Sequence, residues 1–95
     1  MSKKDSALAT AAEVARLLQA ERVNKDLSMT ELAKRSGLSQ QMISYVERGM
    51  RKPTLDTLLR IAGVLDVDLW KIVKTATDRA GAKTAQRRTK RGTSG

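Results

Sequence analysis

The 95-residue sequence has no cysteine, no histidine and no phenylalanine, a single proline (Pro53), and two aromatic residues, Tyr45 and Trp70. Without cysteine a disulfide framework is impossible, and without cysteine or histidine the usual ligands of zinc and other transition metals are missing. The same absences remove Ser-His and Cys-His nucleophile pairs, and the sequence has no GxxxxGK loop to cradle a phosphate, so no enzymatic activity is expected. No run approaches the roughly 18 apolar residues of a membrane span, and the opening MSKKDSALAT lacks the apolar segment of a signal peptide. A cytoplasmic protein with no metal, no cofactor and no membrane partner is the expectation.

Cations are plentiful. Nineteen Lys and Arg against ten Asp and Glu give a formal charge of +9 and a pI near 10.5, which suits a polyanionic partner. The apolar residues are mainly Leu, Ile, Val, Ala and Met, a diet that favours helices, and the length fits one small domain with tails.

Capping signals mark the expected helices. TAAE places Thr10 three residues before Glu13, the spacing of a capping box, and predicts that residues 1–9 are a flexible terminus and that a first helix runs from Thr10 to about Lys25. SMTE repeats the pattern with Ser28 and Glu31 and opens a short second helix that Gly37 stops. Ser39 then caps a third helix that ends near Gly49. Pro53 marks the following loop, and Thr54 caps a fourth helix with Leu55, Leu58, Leu59, Ala62 and Leu65 on one side. Asp68 can cap a fifth, in which Leu69, Ile72, Val73 and Ala76 form the inward stripe. The domain is thus expected over residues 10–77. Residues 78–95 show no apolar period, are rich in Gly, Thr and cations, and carry +5 of the net charge, so they are expected to be a disordered basic tail.

Two short helices joined by a tight turn, MTELAKRSGLSQQMISYVER at 29–48, fit a helix-turn-helix unit. Ala33 is small where the helices must cross, Gly37 supplies the turn's unusual backbone angle, and Ile43 and Val46 fall on the inward side of the third helix. From LSMTELAKRSGLSQQMISYVERGMRKPTLDTLLRIAGVLDVDL the chain resembles the Cro and phage-repressor (Xre-like) type of helix-turn-helix regulator, over about residues 11–75. That resemblance implies an all-α, compact five-helix bundle whose third helix enters the DNA major groove, usually as a symmetric dimer on paired half-sites.

Carried over by position, the resemblance implies base reading by Ser39, Gln40, Gln41, Ser44 and Tyr45, and a glutamine amide can both donate to N7 and accept from N6 of adenine. Cations attract phosphate without reading sequence, so Arg48, Arg51 and Lys52, just after the recognition helix, are expected on the DNA backbone, with Ser28 and Thr30 on the other flank. Met29 departs from the pattern: the family often has glutamine there, and methionine cannot make the same phosphate clamp. Arg22 and Glu47 match a pair that the family often joins as an internal salt bridge, and both are assigned to structure. Leu69, Trp70 and Val73 are the candidate dimer surface, since aromatic residues concentrate at interface centres.

The functional expectation is a sequence-specific, double-stranded-DNA-binding transcriptional regulator acting as a homodimer, similar in size and architecture to the small controller proteins of restriction-modification systems. Its basic tail would add nonspecific phosphate attraction. Two alternatives stay open: an antitoxin that also engages a protein toxin, and a coactivator module that docks on transcription machinery while its glutamines read nothing.

Overall fold

The computed structural model describes the backbone of residues 3–50 and 52–92 and the side chains of 7–50 and 52–81. Among the described residues there are five helices and no strand: α1 (Lys3–Asn24), α2 (Met29–Ser36), α3 (Gln40–Glu47), α4 (Leu55–Leu65) and α5 (Leu69–Gly92).

Short-range chemistry sets the three middle helices. Ser28, Ser39 and Thr54 all adopt extended backbone angles, and the side-chain oxygen of each accepts from the amide three residues on, at Glu31, Met42 and Thr57. Each cap satisfies a donor that the first helical turn leaves without an intrahelical partner. Gly37 ends α2 in the left-handed region at φ 78°, where a side chain would be strained, and its amide donates to the Ala33 carbonyl. A Cβ at Gly37 would also lie 3.3 Å from Nη1 of Arg60.

All five helices contribute to one core. Leu18, Leu32, Ile43, Val46, Ile61, Leu65 and Ala76 are each at most 2% exposed. Close packing of such aliphatic side chains, each worth about 1.5 to 3 kcal/mol when fully buried, holds the short α2 and α3 in place. Helices of eight residues would not persist alone in water.

α1 and α5 pack antiparallel. Arg79 Nη1 of α5 lies 4.0 Å from Glu13 Oε1 of α1, and just past the end of α1 the Lys25 ammonium donates to the Leu65 carbonyl at the end of α4. Along α5 Ala76 is fully buried and Ala80, one turn later, is 8% exposed.

Four expectations need correction. α1 starts at Lys3, not Thr10, so the helix continues through the TAAE pattern. Glu13 is buried beside Arg16 and Arg79 rather than turned back to a helix start. Residues 78–81, expected in a disordered tail, belong to α5, because Ala80 repeats the contact of Ala76 one turn later; the helix itself extends to Gly92. Leu55 and Leu59 are 65% and 52% exposed, since α4 is rotated to bury Thr57 and Ile61 with Ala62 and Leu65. Leu69 is buried in its own chain, so of the proposed dimer surface only Trp70 and Val73 are exposed.

Candidate nucleic-acid interface

The site is built on the seat of α3. Ile43 and Val46 are almost wholly buried and aim into the core one turn apart. Glu47 completes that inward face: its Oε2 accepts from Arg22 Nε at 2.6 Å and its Oε1 from Arg22 Nη2 at 3.0 Å, a two-point pairing across 25 residues. Arg22 Nη1 donates to the Leu27 carbonyl at 2.7 Å, so one guanidinium ties α1, the α1–α2 turn and α3 together. The two side chains are only 11% and 5% exposed, and the planar guanidinium matches a carboxylate in this geometry.

The turn between α2 and α3 is held from several sides. The Leu38 amide donates to Ser36 Oγ at 3.3 Å, and Ser36 Oγ donates to the Ala33 carbonyl at 3.3 Å. Arg60 of α4 donates to the Ser36 carbonyl at 3.4 Å while pairing with Asp56 at 2.8 Å. Arg60 and Ser36 were missed from the sequence. The four-residue spacing of Asp56 and Arg60 is readable there, whereas the reach of Arg60 to the turn depends on how α4 crosses α2.

With its inward face anchored, α3 presents a polar outward face. Ser39, Gln40 and Gln41 are exposed, and Ser44 and Tyr45 are half-buried beside them. Gln41 Nε2 donates to the Tyr45 hydroxyl oxygen at 2.7 Å, so these residues, four apart on the helix, act as a pair. Gln40 Oε1 accepts from the Thr30 hydroxyl at 3.0 Å, which links the first turns of α2 and α3. The Ser39 oxygen is engaged as the α3 cap and the Ser28 oxygen as the α2 cap.

Cations flank this face. Arg48 and Lys52 are exposed next to the positive-φ turn at Gly49, and Arg51 lies outside the described residues. Met29, which interrupts the expected clamp, is half-buried and packs on the core, so that position strengthens the seat of α2. Among the described residues no cluster of acidic side chains is arranged to hold a metal ion, and no helix is long and apolar enough to cross a membrane.

The helix-turn-helix family model HTH_3 matches residues 18–69, more than half of the chain. The chain belongs to the helix-turn-helix family. It is 46% identical over 57 residues to the Uncharacterized HTH-type transcriptional regulator y4dJ of Sinorhizobium fredii, covering 60% of this chain and 73% of that one. It is also 46% identical over 50 residues to the Uncharacterized HTH-type transcriptional regulator MT0491 of Mycobacterium tuberculosis, covering 53% of this chain. It spans only 36% of that longer regulator's length. Among solved structures, the clp gene regulator ClgR of Corynebacterium glutamicum superposes with a TM-score of 0.71 over 87% of both chains at 23% identity, a likeness of fold. The relatives that share this helix-turn-helix domain are named as transcriptional regulators.

Proposed function

We propose that this helix-turn-helix protein is a cytoplasmic transcriptional regulator that reads double-stranded DNA by placing α3 in the major groove. The observation that carries the reading is the division of α3 into a buried face, seated by Ile43, Val46 and the Arg22–Glu47 pair, and an outward polar face of Gln40, Gln41, Ser44 and Tyr45. A helix fits the major groove, where each base pair shows a distinct donor and acceptor pattern. Ser39 stands at the entry of that helix, with its oxygen committed to the cap and its backbone beside the reading residues.

Phosphate attraction falls to Arg48, Arg51 and Lys52 on one flank and to the first turn of α2, behind Ser28, on the other. The basic C-terminal segment adds charge that raises affinity for any duplex. One recognition helix spans few base pairs, so a homodimer on a two-fold site is the functional unit, with the exposed Trp70 and Val73 as its contact surface. Exposure of Trp70 at 64% supports a partner there, whether a second copy or another protein.

The test is selection from a random duplex library by the purified full chain at about 0.15 M salt, where loose phosphate attraction is screened. A two-fold symmetric enriched motif is expected. Salt-sensitive retention with no enriched motif would instead favour a module that docks on a protein partner.

A further inference from the structure

We infer that the apolar groove between α1, the end of α3 and the segment leading into α4 is a binding site for a medium-chain carboxylate, and that filling it lowers affinity for DNA. The site stands on the groove itself, while its effect on DNA rests on the reading of α3 as a major-groove helix.

α1 makes the space by being small on one face. Ala7, Ala11 and Ala15 follow one another at four-residue spacing, Ala12 lies beside them, and all four line the groove. The other walls include Val46 of α3, Met50 and Pro53 of the following segment, and Leu58 of α4. Gly49 contributes no side chain, and nothing lies within 4 Å of where its Cβ would be. Methyl groups on α1 cannot reach the facing walls, so a volume of about 530 Å3 stays between them. Small-molecule pockets occupy roughly 300 to 1,000 Å3 and are mostly apolar with a few polar groups.

The lining selects a class of ligand. Leu8 is 47% and Met50 60% exposed, aliphatic surface that a hydrocarbon chain would remove from water. No aromatic ring is among the described lining residues, so a flat ligand has nothing to stack on, whereas leucine and methionine adapt to a flexible chain. Among the same residues Lys52 is the only charged one, with no carboxylate beside it, and Arg48 is exposed next to Gly49. An alkyl chain with one anionic head matches this pattern, and a cationic head would meet like charge.

The groove touches the DNA-binding face at two points. Val46 belongs to the buried seat of α3, and Lys52 is one of the cations proposed to attract phosphate. A carboxylate that engages Lys52 withdraws that cation from the duplex, and by linkage the duplex weakens carboxylate binding equally. No described residue of α5 lines the groove, so the site is separate from Trp70 and Val73.

The test titrates sodium decanoate, below its micelle-forming concentration, into the full-length protein by calorimetry, with hexanoate and octanoate as shorter homologues and decylammonium as the cation of equal length. One saturable site per chain is expected, with affinity rising about fourfold per added methylene and decanoate bound several-fold tighter than decylammonium. Ala11→Phe and Ala12→Leu each fill the groove from an exposed position and should weaken binding, with thermal melting confirming that each is folded. Lys52→Glu should remove the preference for the anion. On a selected operator at about 0.15 M salt, saturating decanoate should raise the wild-type Kd about fivefold, the worth of one phosphate contact, and should not shift that of Ala11→Phe. Unsaturable uptake, equal affinity for decanoate and decylammonium, or undiminished binding by both filled variants would overturn the site. Saturable binding with an unchanged operator Kd would overturn its effect on DNA. If no operator is enriched, the DNA reading falls by itself, because the calorimetric result decides the site without DNA.

Discussion

The two faces of α3 are made of the same eight residues and obey different physics. On the inward face, Ile43, Val46 and Glu47 are fixed by burial and by a two-point ion pair with Arg22. On the outward face, Gln40 and Gln41 are exposed and held only by single hydrogen bonds to Thr30 and Tyr45. The inward face decides where the helix sits, and in the proposed function the outward face decides what it reads. Damage to the first should appear as lost stability. Damage to the second should appear as lost discrimination by a protein that is still folded.

The largest expected effect lies on the inward face. Glu47→Ala leaves the Arg22 guanidinium mostly buried beside an unfilled site and should lower unfolding free energy by about 3 to 5 kcal/mol in chemical denaturation. A loss within the range of an exposed pair, about 0.2 to 1 kcal/mol, would remove the ion pair from the seat of α3.

On the outward face, Gln41→Ala should weaken binding to a selected operator by about 1 to 3 kcal/mol in anisotropy titrations and leave the melting temperature within a degree or so of wild type. Ser39 belongs to both faces and sharpens the comparison: Ser39→Ala should cost about 1 kcal/mol of stability through the lost cap, and Ser39→Asn, another good cap, should recover most of it. The smallest effect is expected at Arg35, whose pairing with Glu31 is exposed on α2. Arg35→Ala should change unfolding free energy by no more than about 0.5 kcal/mol.

The same contrast separates what was legible in the sequence from what was not. Caps at Ser28, Ser39 and Thr54 and the left-handed Gly37 are local devices, each confined to a few neighbouring residues, and the sequence displays them directly. The Arg22–Glu47 pair was legible only through resemblance, because 25 residues separate its members. The start of α1 was misread because Thr10 and Glu13 have capping-box spacing, yet Glu13 is drawn inward toward Arg16 and Arg79 by the packing of α1 on α5.

The length of α5 was hidden for a related reason: its packing continues through Ala76 and Ala80, side chains too small to stand out as an apolar period among cations. Leu55, Leu59 and Leu69 show the limit of counting leucines, since the exact rotation of α4 and the start of α5 decide which of them meet the core. At the candidate site, the residues proposed to read bases were named by position in the motif, but the Thr30–Gln40 bond joins two helices and exists only once the turn is folded.

The most direct test of the division between the faces is the binding of the Gln40→Ala/Gln41→Ala double variant to a selected operator and to a random duplex of equal length, measured alongside its thermal unfolding. The expected result is a loss of at least about tenfold on the operator, with random-duplex affinity and melting temperature unchanged. Equal losses on both duplexes, or no loss on either, would contradict base reading by the outward face of α3.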